Sequence, residues 1–469
     1  MMSGGAAQTV QSGQSRKALD LPMPKVWAFA VGQFGWALLS GIISNWLVYF
    51  YQPDNETIAQ GQTVFVPQGL AVLGVVTVVG GITAFARFFD AFVDPAVASL
   101  SDRCQSAVGR RMPFLKCAAL PLALVTVLVF WSPINGTSWV NGVFLFVAVI
   151  GYYIALTFYC TPYNALIAEL GHDSKQQLTI STAISFTWVA GTAIAYVAPV
   201  VWAGFVPGLG RVNAIRLTFS IMAAIALACM LVPPLAIKER DYVNSQPTSE
   251  STVESLKQTF GDGEFRKFVC SDVVYWVAIT TFQTGLPFFV TSLLKLPETT
   301  TTIYFVLMTA VSVLFYLPVN LMANHVGKKR ILLVAFAIFT CAFAFAGALG
   351  SGLLGAIPPM AQGLILSIVG AIPMAAFGIL PQAIVANIAD ASSKTTGQDR
   401  QGMFYAARTF AMKMGQSVAM LLFTGVSTIG MASGTGYRIA AICAAVLCGM
   451  GGLVFAFYNE RKVLSVLES

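Results

Sequence analysis

Arg87, Asp90 and Asp94 interrupt one apolar stretch of the chain. Spacings of three and four put all three on one face of a helix. Two carboxylates one turn apart repel each other, so one of them gains affinity for a proton. The same pair offers hard oxygen ligands, which suit Na⁺ as they suit hard cations generally. Either use makes Asp90 and Asp94 a candidate coupling-ion site, with H⁺ or a transient Na⁺ as the ion and no structural metal or cofactor. Arg408 and Lys413 lie in a second apolar stretch, and Asp272 lies near one end of a third. Ionisable groups in lipid are costly, which makes each a functional candidate. The plainer alternative is a neutral lattice, in which Arg87 and Lys413 balance the two aspartates and only tie helices together.

The composition says what must position these groups. Of 469 residues, 57% are hydrophobic and 10% are charged, against about 25% charged in a soluble chain. That excludes a soluble enzyme, a disordered chain and a secreted disulfide scaffold. The eight cysteines form no CxxC pair and read as small hydrophobes. The net charge of +7 is scattered in short clusters between apolar runs, which argues against a nucleic-acid partner. No phosphate-binding GxxxxGK[ST], GxSxG or HExxH motif is present. The expected class is an all-α membrane protein that is not an enzyme.

Twelve apolar stretches run at 26–51, 67–98, 113–132, 139–165, 177–205, 214–236, 266–293, 301–325, 331–350, 358–388, 403–430 and 437–458. Each can cross about 30 Å of hydrocarbon at 1.5 Å per residue. With both termini cytoplasmic, inside segments hold 20 of the 27 Lys and Arg residues, and outside segments hold Arg211, Arg216, Lys295 and Arg438. Basic residues mark cytoplasmic loops, so this orientation is the expected one. Residues 1–24 read as a disordered tail, 25–236 and 266–460 as two six-helix bundles, 237–265 as a central loop and 461–469 as a second tail. Within the central loop, Val253, Leu256 and Phe260 could share one face of a short interfacial helix. A weak repeat supports the division: Gly109-Arg110-Arg111 follows span two, and Gly327-Lys328-Lys329-Arg330 follows span eight. A six-plus-six repeat suggests a major-facilitator architecture with the substrate path between the halves.

Depth can be read from the helical rise. Asp90 lies 12 residues from Asp102 and Lys413 lies 13 from Arg400, so both sit ~18–20 Å from the cytoplasmic loops. Asp94 and Arg408 match each other at ~12 Å. A charge cluster shared by the two halves is therefore expected. Asp102, Arg103, Arg110 and Arg111 in the following loop are candidate gating residues, with Asp102 and Arg103 as a latch.

Other spans carry polar stripes: Gln33, Ala37, Ser40 and Ser44; Tyr153, Thr157, Cys160 and Asn164; Ser181, Ser185, Trp188 and Thr192; Trp276, Thr280 and Gln283. Such faces turn toward the bundle interior. Hydroxyls, amides and aromatic rings could hold a polyol, although small residues also mediate helix packing with no ligand. Gln33, Ala37, Tyr153, Cys160, Asn164, Trp188, Trp276, Gln283 and Arg408 are the candidate substrate residues. Tyr49, Phe50 and Tyr51 read as an interfacial aromatic belt.

The run Arg87-Phe88-Phe89-Asp90-Ala91-Phe92-Val93-Asp94-Pro95 resembles the signature of the glycoside–pentoside–hexuronide:cation symporters. Ser101-Asp102-Arg103, Gly109-Arg110-Arg111-Met112-Pro113, Pro162-Tyr163 and Lys413 are similar to matching features of that family. The resemblance implies a major-facilitator fold, alternating access and cation-coupled uptake. It implies that Asp90 and Asp94 are the cation carboxylates and that Lys413 communicates with them. The family's best-known member has sugar-binding aspartates in helices one and four, and the positions here that resemble them are Ala37 and Cys160; its helix-five arginine has no obvious counterpart near Ile184 or Ser185. The expected function is symport of a sugar or glycoside by a monomer in the cell inner (plasma) membrane. The alternatives are a lysolipid carrier on the same fold and a non-transporting receptor.

Overall fold

The long apolar runs become helices: α1 (Met23–Tyr51), α2 (Val78–Asp102), α3 (Met112–Leu128), α4 (Trp139–Leu170), α5 (Ser174–Leu209) and α6 (Arg211–Ala236) in one half. The second half contains α7 (Gly263–Phe288, prolonged by a π-helical turn, Phe289–Leu293), α8 (Thr299–Val326), α9 (Lys328–Ala348), α10 (Pro359–Thr396), α11 (Gln401–Val426) and α12 (Thr435–Ala456). The computed structural model describes residues 20–468 apart from 73, 75, 105, 107, 172–173, 244–257, 397–400 and 431–432. Val253 and Leu256 of the expected interfacial helix lie outside the described residues. Among the described residues, nine of these twelve helices are long and apolar enough to cross a membrane. The other three are α3, at 17 residues, and α2 and α11, which carry the charges.

One span begins later than its hydropathy suggests. The second apolar run starts at residue 67, but α2 starts at Val78. Pro67 and the left-handed Gly69 and Gly74 keep the intervening residues out of a helix. The Thr77 hydroxyl then caps α2 by accepting from the Gly80 amide at 3.0 Å.

Packing repeats with an offset of six helices. α1 packs on α5 and α6 as α7 packs on α11 and α12. α2 meets α4 as α8 meets α10, and α3 meets α4 and α6 as α9 meets α10 and α12. Two further contacts, α2 with α11 and α5 with α8, join the halves and are images of each other under the same offset. Within each half the approach is close. A Cβ on Gly191 of α5 would lie 2.6 Å from the Phe34 carbonyl oxygen of α1, which is the close backbone approach that small residues allow in membrane bundles.

The Gly-basic repeat acquires a physical reason on the face that carries both termini. Gly109 and Gly327 adopt positive φ (135° and 96°) at the entries to α3 and α9. Each turn leaves helix N-terminal amides without partners in their own helix. Glu239, just after α6, accepts from the amides of Arg110, Arg111 and Met112, each at 2.9 Å. Glu460, just after α12, accepts from the amides of Lys328 at 2.9 Å and Lys329 at 3.1 Å. A Cβ on Gly109 would strike Glu239, and one on Gly327 would lie 3.0 Å from Glu460. The glycine therefore serves the carboxylate as well as the turn.

Replacing Glu239 by Ala is expected to cost ~1–3 kcal/mol, because buried amides lose their acceptor. The loss should appear as a lower melting temperature of the detergent-purified protein, with Glu239→Gln intermediate. Unchanged melting of Glu239→Ala would contradict the capping role.

Candidate functional site

The mid-depth site is built where α2 meets α11. Asp90 and Asp94 share one face of α2, and Lys413 of α11 reaches between them. Its Nζ lies 2.7 Å from Asp90 Oδ2 and 2.5 Å from Asp94 Oδ2. The remaining oxygens are held from α4, where Thr157 donates to Asp90 Oδ1 at 2.5 Å and Thr161 donates to Asp94 Oδ1 at 3.2 Å. Two hydroxyls one turn apart thus match two carboxylates one turn apart. That spacing was present in the sequence, where Thr157 counted only as part of a polar stripe and Thr161 was missed.

Arg87 does not join the pair. Its Nη1 donates to Gln416 Oε1 at 2.5 Å, its Nη2 donates to Ser44 Oγ at 3.2 Å, and its guanidinium lies 5.5 Å from the Tyr153 ring centroid. The neutral two-against-two lattice is therefore not the arrangement found. With both carboxylates ionised, Asp90, Asp94 and Lys413 sum to −1, and Asp90 is buried. A partly buried cluster in which one ammonium faces two carboxylates gains from a proton or a cation.

Arg408 also sits apart from Asp94. It pairs with Asp272 inside its own half, Nε to Oδ2 at 2.9 Å and Nη2 to Oδ1 at 3.1 Å. Equal depth did not bring Arg408 to α2, because it lies five residues from Lys413 and so points from another side of α11. A fork on a carboxylate satisfies both partners.

The candidate substrate residues separate into groups. Ala37 is fully buried, and Gly191 comes so close that an added Cβ would lie 3.0 Å from Ala37 Cβ, which places Ala37 in the α1–α5 contact. Tyr153 is buried beneath Arg87, and Cys160 is half-buried. Asn164 and Trp188 are exposed, as are Ser181 and Ser185 on the Trp188 stripe, while Gln283 and Trp276 are half-buried. The Trp188 ring lies 4.9 Å from Trp36, a residue absent from the sequence candidates. Gln33 Oε1, Trp36 Nε1 and Trp276 Nε1 are buried with no hydrogen-bond partner among the described residues. These are neutral donors and acceptors on α1 and α7.

On the terminal face, Asp102 is engaged by Arg111 at 2.7 Å rather than by Arg103, which is exposed. Arg110 and Arg111 both reach Glu169 Oε1 at 2.6 Å. Burial opposes the charge on Arg111, but Glu169 and Asp102 outweigh it and raise its pKa above the usual arginine value. All these residues belong to the first half. Among the described residues, every ion pair on this face stays within one half.

The opposite face differs. Glu298, between α7 and α8, accepts from Tyr49 OH at 3.0 Å, Trp202 Nε1 at 2.5 Å, Arg211 Nη1 at 3.0 Å and Arg211 Nη2 at 2.5 Å. Asp54 accepts from the Thr291 hydroxyl at 2.8 Å and from Ser292. Gln52 donates to the Thr424 carbonyl and the Ser427 hydroxyl, both at 2.9 Å. All of these bonds cross between the halves, which are therefore closed together on this face. Tyr49, Phe50 and Tyr51 are buried here rather than forming a belt, because the Tyr49 hydroxyl serves Glu298 and the Tyr51 hydroxyl donates to the Val129 carbonyl. A signal existed for Arg211, since a cation at a helix N-terminus opposes the helix dipole and needs an external partner.

The pattern of the family described as MFS/sugar transport protein matches residues 28–457. The chain belongs to that family, whose members are transporters rather than enzymes, and is an integral, multi-pass membrane protein. It is 26% identical over 227 residues to the inner membrane symporter YicJ of Escherichia coli (strain K12), which is 47% of each chain. It is 23% identical over 266 residues to the isoprimeverose transporter of Lactiplantibacillus pentosus, covering 56% of this chain and 51% of that one. Such alignments span about half the length of these relatives. The fold is similar to that of the crystal structure of nucleoside transporter NupG, with a TM-score of 0.64, 14% identity and coverage of 93% of this chain and 100% of that one.

Removing one partner of a buried ion pair costs on the order of 3–5 kcal/mol, so Glu298→Gln should release the closed face. Spin labels on Thr137→Cys and Leu353→Cys, in a chain without its native cysteines, report the separation of the halves. Glu298→Gln is expected to add a longer-distance population by pulsed electron paramagnetic resonance. An unaltered distribution would show that other contacts hold this face.

Proposed function

We propose that the chain is a secondary active transporter that couples uptake of a small neutral sugar or glycoside to a cation by alternating access. In this reading all twelve long helices cross the plasma membrane, both termini are cytoplasmic and the monomer suffices. The state described above is then inward-facing, closed on the outside by Glu298.

The observation that carries the coupling is the partly buried triad of one ammonium and two carboxylates. A proton or Na⁺ arriving at Asp90 and Asp94 supplies the missing positive charge and competes with Lys413 for the same oxygens. Lys413 then loosens from α2, and a tie between the halves at mid-depth is weakened. Arg87 stays on its neutral partners and keeps α2 in register with α11. Ion binding is in this way converted into freedom for the halves to rock.

The neutrality of the substrate follows from where the charges are. Arg408 is bound to Asp272 and Lys413 to the aspartates, while Ala37 and Cys160 offer no carboxylate. What remains near the middle of the bundle is Arg87, already held by Gln416, Ser44 and the Tyr153 ring, and neutral groups: the Trp36–Trp188 pair and the unpartnered atoms of Gln33, Trp36 and Trp276. Indole faces with a few neutral donors and acceptors suit a sugar ring. The names of the relatives, among them a putative glycoside/cation symporter YagG of Escherichia coli (strain K12), support the same class.

Uptake into proteoliposomes tests this. Labelled neutral glycosides, uronides and lysolipids would each be offered with an inward Na⁺ gradient, an inward proton gradient or neither. A neutral glycoside should accumulate under one gradient. Asp90→Asn or Asp94→Asn should abolish accumulation in a folded protein, and Lys413→Ala should impair coupling more than Arg408→Ala. Wild-type accumulation by the neutralised aspartate variants would overturn the coupling site. Lysolipid movement without glycoside uptake would overturn the substrate class.

A further inference from the structure

A cationic pocket of about 440 Å³, confined to the first half, lies on the face closed by Glu298. Three segments form it: the loop after α1 at Gly61, Thr63 and Phe65, the α3–α4 loop, and the junction of α5 and α6. Arg211 and Arg216 both line it, and no Asp or Glu does. Arg216 is half-buried. Its Nε donates to the Phe130 carbonyl at 2.9 Å, and its guanidinium lies 5.4 Å from the Phe65 ring centroid and 5.2 Å from that of Trp131. Among the described residues it has no carboxylate partner within salt-bridge distance. Arg211 is 5% exposed, and its Nε is buried with no acceptor. The pocket also contains the first turn of α6, a 26-residue helix whose N-cap, Gly210, supplies no side-chain acceptor. Ser132 and Asn213 add a hydroxyl and an amide.

An unpaired guanidinium held over aromatic rings is a persistent cost when it is half removed from water. Arg211 is paired with Glu298 and adds little net charge, but the uncapped helix N-terminus beside Arg216 raises the positive potential further. The surroundings are apolar: Trp131, Ile134, Trp139 and Leu209 are all exposed large hydrophobics. Tryptophans at this level of a bundle mark the boundary where lipid headgroups lie.

We propose that this pocket binds a phosphate-type anion, with Arg216 as its principal contact and Arg211 and the α6 N-terminus in support. Planar guanidinium forks match phosphate oxygens in pairs, and helix N-termini favour the same charge. The phosphate comes either from the headgroup of an anionic phospholipid or from solution. The site is separate from the Asp90–Asp94–Lys413 triad, so the proposal does not depend on how transport is coupled.

The test uses the full-length protein in detergent. Its melting temperature would be followed against phosphatidylglycerol, against phosphatidylcholine, and against inorganic phosphate at constant ionic strength, with retained lipid read by native mass spectrometry. Phosphatidylglycerol or phosphate should stabilise the wild type, and phosphatidylcholine should not. Arg216→Gln should weaken the effect about tenfold, the scale of one lost charge-assisted fork. Asn135→Trp, which fills the pocket and leaves both arginines intact, should weaken it as well and guards against misfolding of the arginine variant. Lys116→Gln, which removes one charge near the terminal face, should have no effect. Stabilisation by phosphatidylglycerol alone, lost in both pocket variants, assigns a lipid headgroup. Stabilisation by inorganic phosphate, lost in the same variants, assigns a soluble anion. No stabilisation by either, or equal stabilisation in wild type and both pocket variants, overturns the site.

Discussion

Lys413 is shared by two carboxylates on the opposite half of the molecule, and much of the bundle is arranged around that sharing. The ammonium is held at 2.7 and 2.5 Å by groups that would repel each other without it. Thr157 and Thr161 fix the outer oxygens from α4, so the pair cannot relax by turning away. Because α2 and α11 belong to different halves, this ion-paired contact at mid-depth also joins the halves. A positive charge that enters this cluster therefore acts on the joint directly, with no long pathway required.

The joint makes sense only with the asymmetry of the two faces. On the far face, Glu298, Asp54 and Gln52 bind partners in the opposite half through bonds largely removed from water. On the terminal face, the carboxylates of Glu169, Glu239 and Glu460 are spent inside their own halves. Local ion pairs and caps make each half rigid, and buried pairs between halves set which face is shut.

The same economy of charge bears on what can pass. Arg408, a candidate substrate residue in the sequence, is bound through Nε and Nη2 to Asp272. The polar atoms left without partners near the centre are neutral. In the proposed reading, unpartnered neutral atoms beside indole rings suit an uncharged, hydroxyl-rich solute, since Arg408 and Lys413 already hold carboxylates and Arg87 is held by Gln416 and Ser44.

Much was legible in the residues alone. Hydropathy gave the helices to within about five residues, except where Pro67 and two left-handed glycines delayed α2 and where α10 runs on to Thr396, eight residues past its expected end. Helical period put Asp90 and Asp94 on one face, and the rise per residue put Lys413 at their depth, since both depend on local geometry only. The Gly-basic repeat was visible, but not Glu239 and Glu460, whose carboxylates arrive from more than 120 residues away in the chain. Depth alone could not separate Lys413 from Arg408, because which side of α11 faces α2 is set by the packing of whole helices. Nor could it show Arg211 meeting Glu298, or Ala37 lost beneath Gly191. The sequence determined which charges lie in the membrane and at what depth. The tertiary structure decided which of them meet, because pairing depends on the rotation and docking of helices that no local period records.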